Sequence, residues 1–385
     1  MKRPTRVLEI RSVRGIGGGP EKTILLGAAQ ADPARYHVIV CYLRDLRDDV
    51  FGIEGRAAGI GVDYTEIRER HSFDLSVWPA LRRLVRERQI DIVHSHDYKT
   101  DLLAWLLHRR DGVRVLATAH GWSGFTIRER RLYYPGDKRI LARLPRVVAV
   151  SPLIRDELTR YGADPARVSL ILNGIDPEAF KWDGNRVAAA RSSLALEPGS
   201  VVLGSVGRLE VEKRYDILIE VFGDLYARRP ELRLVIAGEG SLRLELEALI
   251  TRRGLNAVCR LVGHVDDVVG FYHALNVFVQ TSDTEGTPNA VLEAMALRTP
   301  VVATAAGGTV ALMTDGLHGL IVPVGSRDAL TAALDRAISD PAAAAARADA
   351  SRTRVEQQLS FKARMAALEA IYDELMAGPA TRVAA

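Results

Sequence analysis

Residues 201–237 read VVLGSVGRLEVEKRYDILIEVFGDLYARRPELRLVIA. Two short apolar runs, 201–206 and 232–237, bracket a segment, 215–227, whose apolar residues recur at helical spacing. A strand that is apolar on both faces belongs to a parallel sheet covered by helices on both sides, so this stretch predicts a β-α-β unit. The same beat continues outward. Strand-like runs follow at 260–262, 277–280, 301–303 and 320–322, and helical spacing at 242–253 and 290–297. Upstream, runs at 7–10, 38–43, 90–94, 113–118, 147–150 and 168–172 alternate with helical segments such as Trp78-Leu81-Leu84-Val85. The chain is predicted to fold as α/β, with two Rossmann-like doubly wound parallel-sheet domains and a joint in the polar stretch 173–200. Open sheets of this kind bind ligands beyond the carboxyl ends of their strands. Functional residues are therefore expected just after strands, around a central cleft that the two domains face.

Length and composition agree. The 385 residues correspond to about two or three domains. Hydrophobic residues make up 48% and charged ones 26%, and no apolar run is long enough to span a bilayer. The N-terminus MKRPTRVLEIRSV is basic but lacks a signal-peptide core, which predicts a cytoplasmic protein. Cys41 and Cys259 are too few for a disulfide framework and are expected to be buried thiols. The net charge of +4 hides an asymmetry: residues 1–190 hold 32 Lys and Arg against 24 Asp and Glu, and the remainder 20 against 24. A basic half suits a phosphorylated ligand, an anionic membrane or nucleic acid. No recognition-helix or RNA-binding aromatic signature accompanies the charge, so nucleic acid is not expected.

Four features bear chemistry. After the first strand, RSVRGIGGGPEKT (11–23) places Gly15, Gly17, Gly18 and Gly19 ahead of a helix, where backbone N–H groups can approach an anion or a sugar hydroxyl. Pro20 breaks the dinucleotide pattern G-x-G-x-x-G and no G-K-[ST] follows, which argues against a nicotinamide-dependent oxidoreductase. Next, His94 and His96 share one face of a strand end, and His120 in ATAHGWSG ends the following strand beside a glycine. The pair lacks further ligands at metal-site spacing, so polar cleft lining is the expectation and no metal is assigned. A basic segment, 126–147, sets Arg128, Arg130, Arg131, Lys138, Arg139, Arg143 and Arg146 among apolar residues, and reads equally as a solvated helix face or as a contact for a phosphorylated acceptor or anionic lipid.

The fourth feature lies in the second half. Arg208 and Lys213 flank a strand-to-helix turn, a cation pair suited to a diphosphate. TSDTEGTPNAVLEAM (281–295) puts Glu285 and Gly286 in a loop and Glu293 on the next helix, whose N-terminus at Asn289 and Ala290 offers N–H groups to an anion. Gly263 ends another strand where backbone groups can meet the edge of a base.

With these residues in place, the chain resembles the family 4 retaining glycosyltransferases of the GT-B fold, the glycosyl transferases group 1. The likeness runs through GGGPEKT, DIVHSHD, TAHGW, VVAVSPLIRDEL, ILNGID, VGRLEVEKRYDILIEVF, LVIAGEG and EGTPNAVLEAMALRTPVVAT, the last containing the E-x7-E pair Glu285 and Glu293. The resemblance implies that Arg208 and Lys213 neutralise a donor diphosphate, that Glu293 holds ribose hydroxyls, and that Glu285 contacts the donor sugar. It further implies that Gly18 and Gly19 approach the transferred phosphate and acceptor side, and that His120 stands near the reacting centre. Two positions depart from the family pattern: Arg298 where Gly is common, and Val310-Ala311 where Pro-Glu is common.

The expectation is a glycosyltransferase that takes a nucleoside diphosphate sugar as donor, needs no metal or other cofactor, and serves cell-surface polysaccharide or glycolipid synthesis. Its acceptor would be a glycan, a glycolipid or a small molecule, and its basic half would touch the inner face of a membrane. A sugar-nucleotide epimerase or a non-catalytic sugar-nucleotide-binding protein is the alternative. Expected domain limits are 1–180 for the acceptor side, 181–360 for the donor side, and 361–385 for a C-terminal helix returning to the first domain.

Overall fold

The computed structural model describes residues 3–15, 17–72, 74–122 and 128–378. The chain forms two compact units, Met1–Asn173 with Phe361–Ala385, and Gly174–Ser360. The first unit thus closes at Asn173 rather than at 180, and residues 174–180 go with the second.

The sheet of the first unit contains β1 (Thr5–Ser12), β2 (Tyr36–Asp45), β3 (Asp63–Glu69), β4 (Ile92–Ser95), β5 (Arg114–Ala119), β6 (Val147–Ala149) and β7 (Val168–Leu170). All pairs are parallel, in the order β3-β2-β1-β4-β5-β6-β7. Strand β3, DYTEIRE, is the one the apolar pattern missed. It lies at the sheet edge, where its alternating charges are solvated or paired: Glu66 takes Arg44, and Glu69 takes Lys99.

In the second unit β8 (Val201–Val206), β9 (Leu232–Ala237), β10 (Cys259–Gly263), β11 (Val277–Gln280), β12 (Val301–Thr304) and β13 (Leu320–Val322) run parallel in the order β10-β9-β8-β11-β12-β13. Both sheets reverse their order once, between β1 and β4 and between β8 and β11. The connections on either side of such a point leave to opposite faces, opening a crevice at the strands' carboxyl ends.

The last two helices divide between the units. Pro341–Gln358 stays on the second, where buried Arg352 donates to the carbonyls of Pro177, Phe180 and Ala296 at 3.0, 2.8 and 2.7 Å. Phe361–Ala377 packs on the first, burying Phe361, Met365, Leu368, Ile371 and Tyr372 against Val7, Val38, Ile92, Leu116 and Val148. Each such side chain contributes about 1.5–3 kcal/mol of burial. Cys41 and Cys259 are free, buried thiols, both pushed up to about 12 by burial.

Helix Asn289–Ala296 ends with Arg298 at φ 54°. This is the left-handed region, where a Cβ is strained and glycine is not. Relief of the Cβ strain outweighs the extra backbone freedom Gly has when unfolded. Arg298→Gly is therefore expected to raise stability by about 0.5–1 kcal/mol, read as a higher urea midpoint at unchanged slope.

Candidate functional site

Arg208 and Lys213 follow the carboxyl end of β8, Gly263 ends β10, and Glu285, Gly286, Asn289, Ala290 and Glu293 lie in the loop and helix after β11. Lys213 Nζ donates to Glu285 Oε1 at 2.6 Å, and Ser282 Oγ donates to the same oxygen at 2.6 Å. Thr281 Oγ1 holds the Lys213 carbonyl at 2.8 Å, and the Asp283 N–H reaches the Glu212 carbonyl at 2.8 Å. The turn after β8 is thereby tied to the loop after β11 across the switch point. Arg208 pairs with Glu212 at 2.8 Å, and its side chain is 61% exposed, which leaves its fork accessible to an anion. Glu293 is buried on the first turns of its helix, where the Tyr272 hydroxyl lies 3.2 Å from its Oε2 and donates to the Ala290 carbonyl at 2.8 Å.

Glycines make this close assembly possible. A Cβ on Gly238 would sit 1.9 Å from the Gly207 carbonyl oxygen, and one on Gly308 would sit 1.8 Å from that of Gly286. Gly263, at φ 77°, receives the Gly238 N–H at 2.7 Å, so it is linked through Gly238 to the Gly207–Arg208 turn. Arg208, Lys213, Glu285, Gly286, Gly263, Asn289, Ala290 and Glu293 thus belong to one set of neighbouring loops in this unit.

Gly18, Gly19 and His120 belong to the first unit. Beneath the glycine turn lies Glu21, buried, whose carboxylate accepts the Gly18 N–H and the half-buried guanidinium of Arg11. Burial alone would raise the Glu21 carboxyl; Arg11 and the Gly18 N–H outweigh it and hold it low. Arg11 also donates to the His96 carbonyl at 2.7 Å, fastening the turn to the end of β4. The helix N-terminus is therefore already capped by its own Glu21, and an anion there would meet a committed Gly18 N–H.

The strand-end histidines come together. His94 and His96 have ring centroids 4.3 Å apart, and His96 and His120 5.3 Å. Glu9 Oε2 lies 3.1 Å from His96 Nε2, and His96 Nδ1 lies 3.1 Å from His120 Nε2. His94 is held between the Tyr372 hydroxyl at 2.9 Å and Thr118 Oγ1 at 2.7 Å. Burial on its own would raise the Glu9 carboxyl, but the facing His94 and His96 rings keep it below the usual range. Burial lowers His96 to about 3 and also pushes His120 well down, the latter aided by Arg11. Glu9, His94 and His96 lie close enough together to be metal ligands, yet their ring nitrogens are engaged with protein partners.

Comparison with known proteins settles what this scaffold is. Residues 17–179 match the family described as Glycosyltransferase Family 4, and residues 187–354 match Glycosyl transferases group 1. A D-inositol 3-phosphate glycosyltransferase of Saccharomonospora viridis is 33% identical over 308 residues, 74% of this chain and 70% of the relative. The chain belongs to the family 4 glycosyltransferases. A second such relative, from Catenulispora acidiphila, is 34% identical over 60% of this chain, and the match spans 58% of the relative's own length. Among solved structures, Anabaena HepE in complex with UDP superposes with a TM-score of 0.83 at 18% identity, covering 96% of this chain and 100% of the other. A sucrose-phosphate synthase of Thermosynechococcus elongatus gives 0.80 at 22%, covering 97% and 99%. These two show the GT-B fold.

In this family 4 chain the basic segment 126–147 is less uniform than its sequence. Lys138 is buried, paired with Glu157 at 2.5 Å and set 4.5 Å from the centre of the Trp122 ring, and Arg146 binds Glu374 at 2.7 Å. Arg128, Arg131, Arg139 and Arg143 stay exposed, next to an exposed Leu132. Residues 126 and 127 and the side chain of Arg130 lie outside the described residues.

Sequence reasoning missed Glu21, Tyr272 and one buried acid pair. Asp101 accepts from Ser95 at 2.5 Å and Asp137 from Trp122 Nε1 at 2.8 Å, and the two carboxyls hydrogen-bond each other. Asp137 Oδ1 is buried without a hydrogen-bond donor among the described residues. Burial drives both up, Asp137 to about 6 and Asp101 well above the usual range. No local pattern announces such a pair.

Two outcomes follow. Gly308 has φ −71°, so Gly308→Ala strains no backbone; its Cβ would instead push the Glu285–Gly286 loop aside. Stability should fall by about 1–3 kcal/mol, read as a lower urea midpoint at unchanged slope. For the acid pair, the folded state binds protons more tightly than the unfolded one. Its stabilisation is complete below the unfolded value of 3.8 and declines as pH rises, the Asp137 share being lost through about 6 and the Asp101 share only at higher pH. Unfolding free energy should fall across that window, and Asp101→Asn, which mimics the protonated acid, should flatten the slope in urea titrations.

Proposed function

We propose that this protein transfers a sugar from a nucleoside diphosphate sugar to an acceptor hydroxyl, with retention at the anomeric carbon. The observation that carries the reading is the gathering of Arg208, Lys213, Glu285, Glu293 and the N-terminus of helix Asn289–Ala296 at one switch point. Arg208 and Lys213 would meet the diphosphate, Glu293 the ribose diol, Gly263 the base edge, and Glu285 the sugar. Leaving-group departure builds negative charge on the diphosphate, and fixed cations with aligned N–H groups stabilise it most strongly there. Lys213 is already oriented by Glu285, so it needs little reorganisation to share its charge with a phosphate. Those groups supply the charge that a metal supplies elsewhere, and activity is expected to survive a chelator.

From the first unit, His120 and the Gly18–Gly19 turn would serve the reacting end and the acceptor. We favour same-face attack, in which the leaving phosphate takes the acceptor proton; isolation of a covalent glycosyl-enzyme would overturn it. The exposed arginines at 128, 131, 139 and 143 support an anionic acceptor or contact with a membrane surface during polysaccharide or glycolipid synthesis. Among the described residues no helix is long and apolar enough to cross a membrane. The named acceptor of the curated relatives makes D-inositol 3-phosphate the first soluble acceptor to assay, and the UDP complexes of HepE make UDP the first nucleotide.

A thermal-shift panel of UDP, GDP and ADP tests the donor site: one diphosphate should raise Tm selectively, and no shift with any of them sinks the reading. Glu293→Ala should weaken that nucleotide, while Arg208→Ala should mainly depress kcat; wild-type kinetics in both would remove the assignment.

A further inference from the structure

We infer that Glu9 and His96 are positioning residues that hold His120 as its Nε2–H tautomer, so that the Nδ1 lone pair is what His120 offers to a substrate hydroxyl. The inference rests on the proposed place of His120 at the reacting end. One continuous hydrogen-bonded chain inside the first unit fixes each proton position through its neighbours.

Glu9 is the start. It lies inside the sheet on β1, 4% exposed, with one oxygen 3.1 Å from His96 Nε2 and the other 3.3 Å from the Tyr372 hydroxyl and 3.5 Å from His94 Nδ1. The nearby cation is Arg364, on the same C-terminal helix as Tyr372, also buried, with its Nε unpartnered. A buried guanidinium stays charged, and a buried charge needs an opposite one close by; Glu9 is the carboxylate whose field acts on it. Glu9 is therefore ionised and purely an acceptor.

Directions then propagate. His96 Nε2 must carry hydrogen to donate to Glu9, which leaves His96 Nδ1 as a lone pair, because burial keeps the ring neutral. His120 Nε2 faces that lone pair at 3.1 Å and must be the donor. His120 is itself neutral, so its Nδ1 is bare, and it has no hydrogen-bond partner among the described residues. The other branch closes consistently: the Thr118 hydroxyl donates to His94 Nε2, His94 Nδ1–H donates to Tyr372, and Tyr372 donates to Glu9. Arg11, whose charge also lowers His120, opposes protonation of the free nitrogen. A partly accessible histidine with a fixed acceptor nitrogen can receive a hydroxyl hydrogen; the opposite tautomer could only donate one.

The test is spectroscopic first. Long-range 1H–15N spectra of the full chain with 15N-labelled histidine, assigned through His120→Gln, should show His120 protonated at Nε2 and bare at Nδ1 at neutral pH. The Nδ1–H tautomer or an imidazolium overturns the inference. Two substitutions then separate the relay from general packing. In His96→Asn the carboxamide oxygen takes the place of Nδ1 and still accepts from His120. In His96→Gln the nitrogen takes the place of Nε2, keeping Glu9 satisfied but leaving His120 without its acceptor. The first should retain the tautomer and kcat within about threefold; the second should lose the tautomer and about tenfold or more in kcat, with donor KM little changed. Equal kcat in the two variants also overturns it. Nucleotide thermal shifts, which report on second-unit residues, show separately whether the donor-site reading stands.

Discussion

A carboxylate buried within a parallel sheet has to be answered from several directions at once, and Glu9 is answered by residues spread over almost the whole chain. His94 lies on β4 and His96 just beyond its end, while Tyr372 comes from a helix that begins at Phe361. Leaving such a charge unpaired costs several kcal/mol, so the return of the final helix is demanded by electrostatics as well as by the apolar side chains it buries. The same helix that seals the sheet brings Arg364, and with it the charge balance that orders the histidines. In the first unit, the docking of the last helix and the ordering of the histidines thus rest on one cluster.

The second unit reaches a comparable end by other means. Its loops are brought together by backbone meeting backbone, Gly238 on Gly207 and Gly308 on Gly286, at distances no side chain tolerates. Around this contact Lys213 pairs with Glu285 and Arg208 with Glu212, while Glu293 is buried beside Tyr272. A polar network sets direction in one unit, and close approach sets position in the other. Both use the reversal of strand order, which leaves loops pointing away from each other with space between.

Much of this was legible beforehand because its cause is local. Apolar runs announced all six strands of the second sheet, and the Glu285–Glu293 spacing announced a loop followed by a helix. Strand β3 was not legible: an edge strand half open to water needs no apolar run, and DYTEIRE reads as a charged connection. The glycine turn was read as open to an anion, yet Glu21 fills it from below, since capping by a residue three positions on depends on the rotamer its surroundings enforce. In the basic segment, burial of Lys138 beside Trp122 turned an apparent surface charge into part of the packing.

By itself the sequence determined the periodicities: two rounds of parallel strands and helices, with reactive side chains collected just after strands and His94 and His96 on a common face. Those follow from backbone geometry over a few residues. Only the tertiary structure decided which distant groups meet. Glu9 finds Tyr372 across 363 positions, Asp101 finds Asp137, and His120 finds His96, which sets the hydrogen on its ring. Protonation and tautomer are properties of a group's neighbours, and neighbours far apart in the chain are chosen by packing.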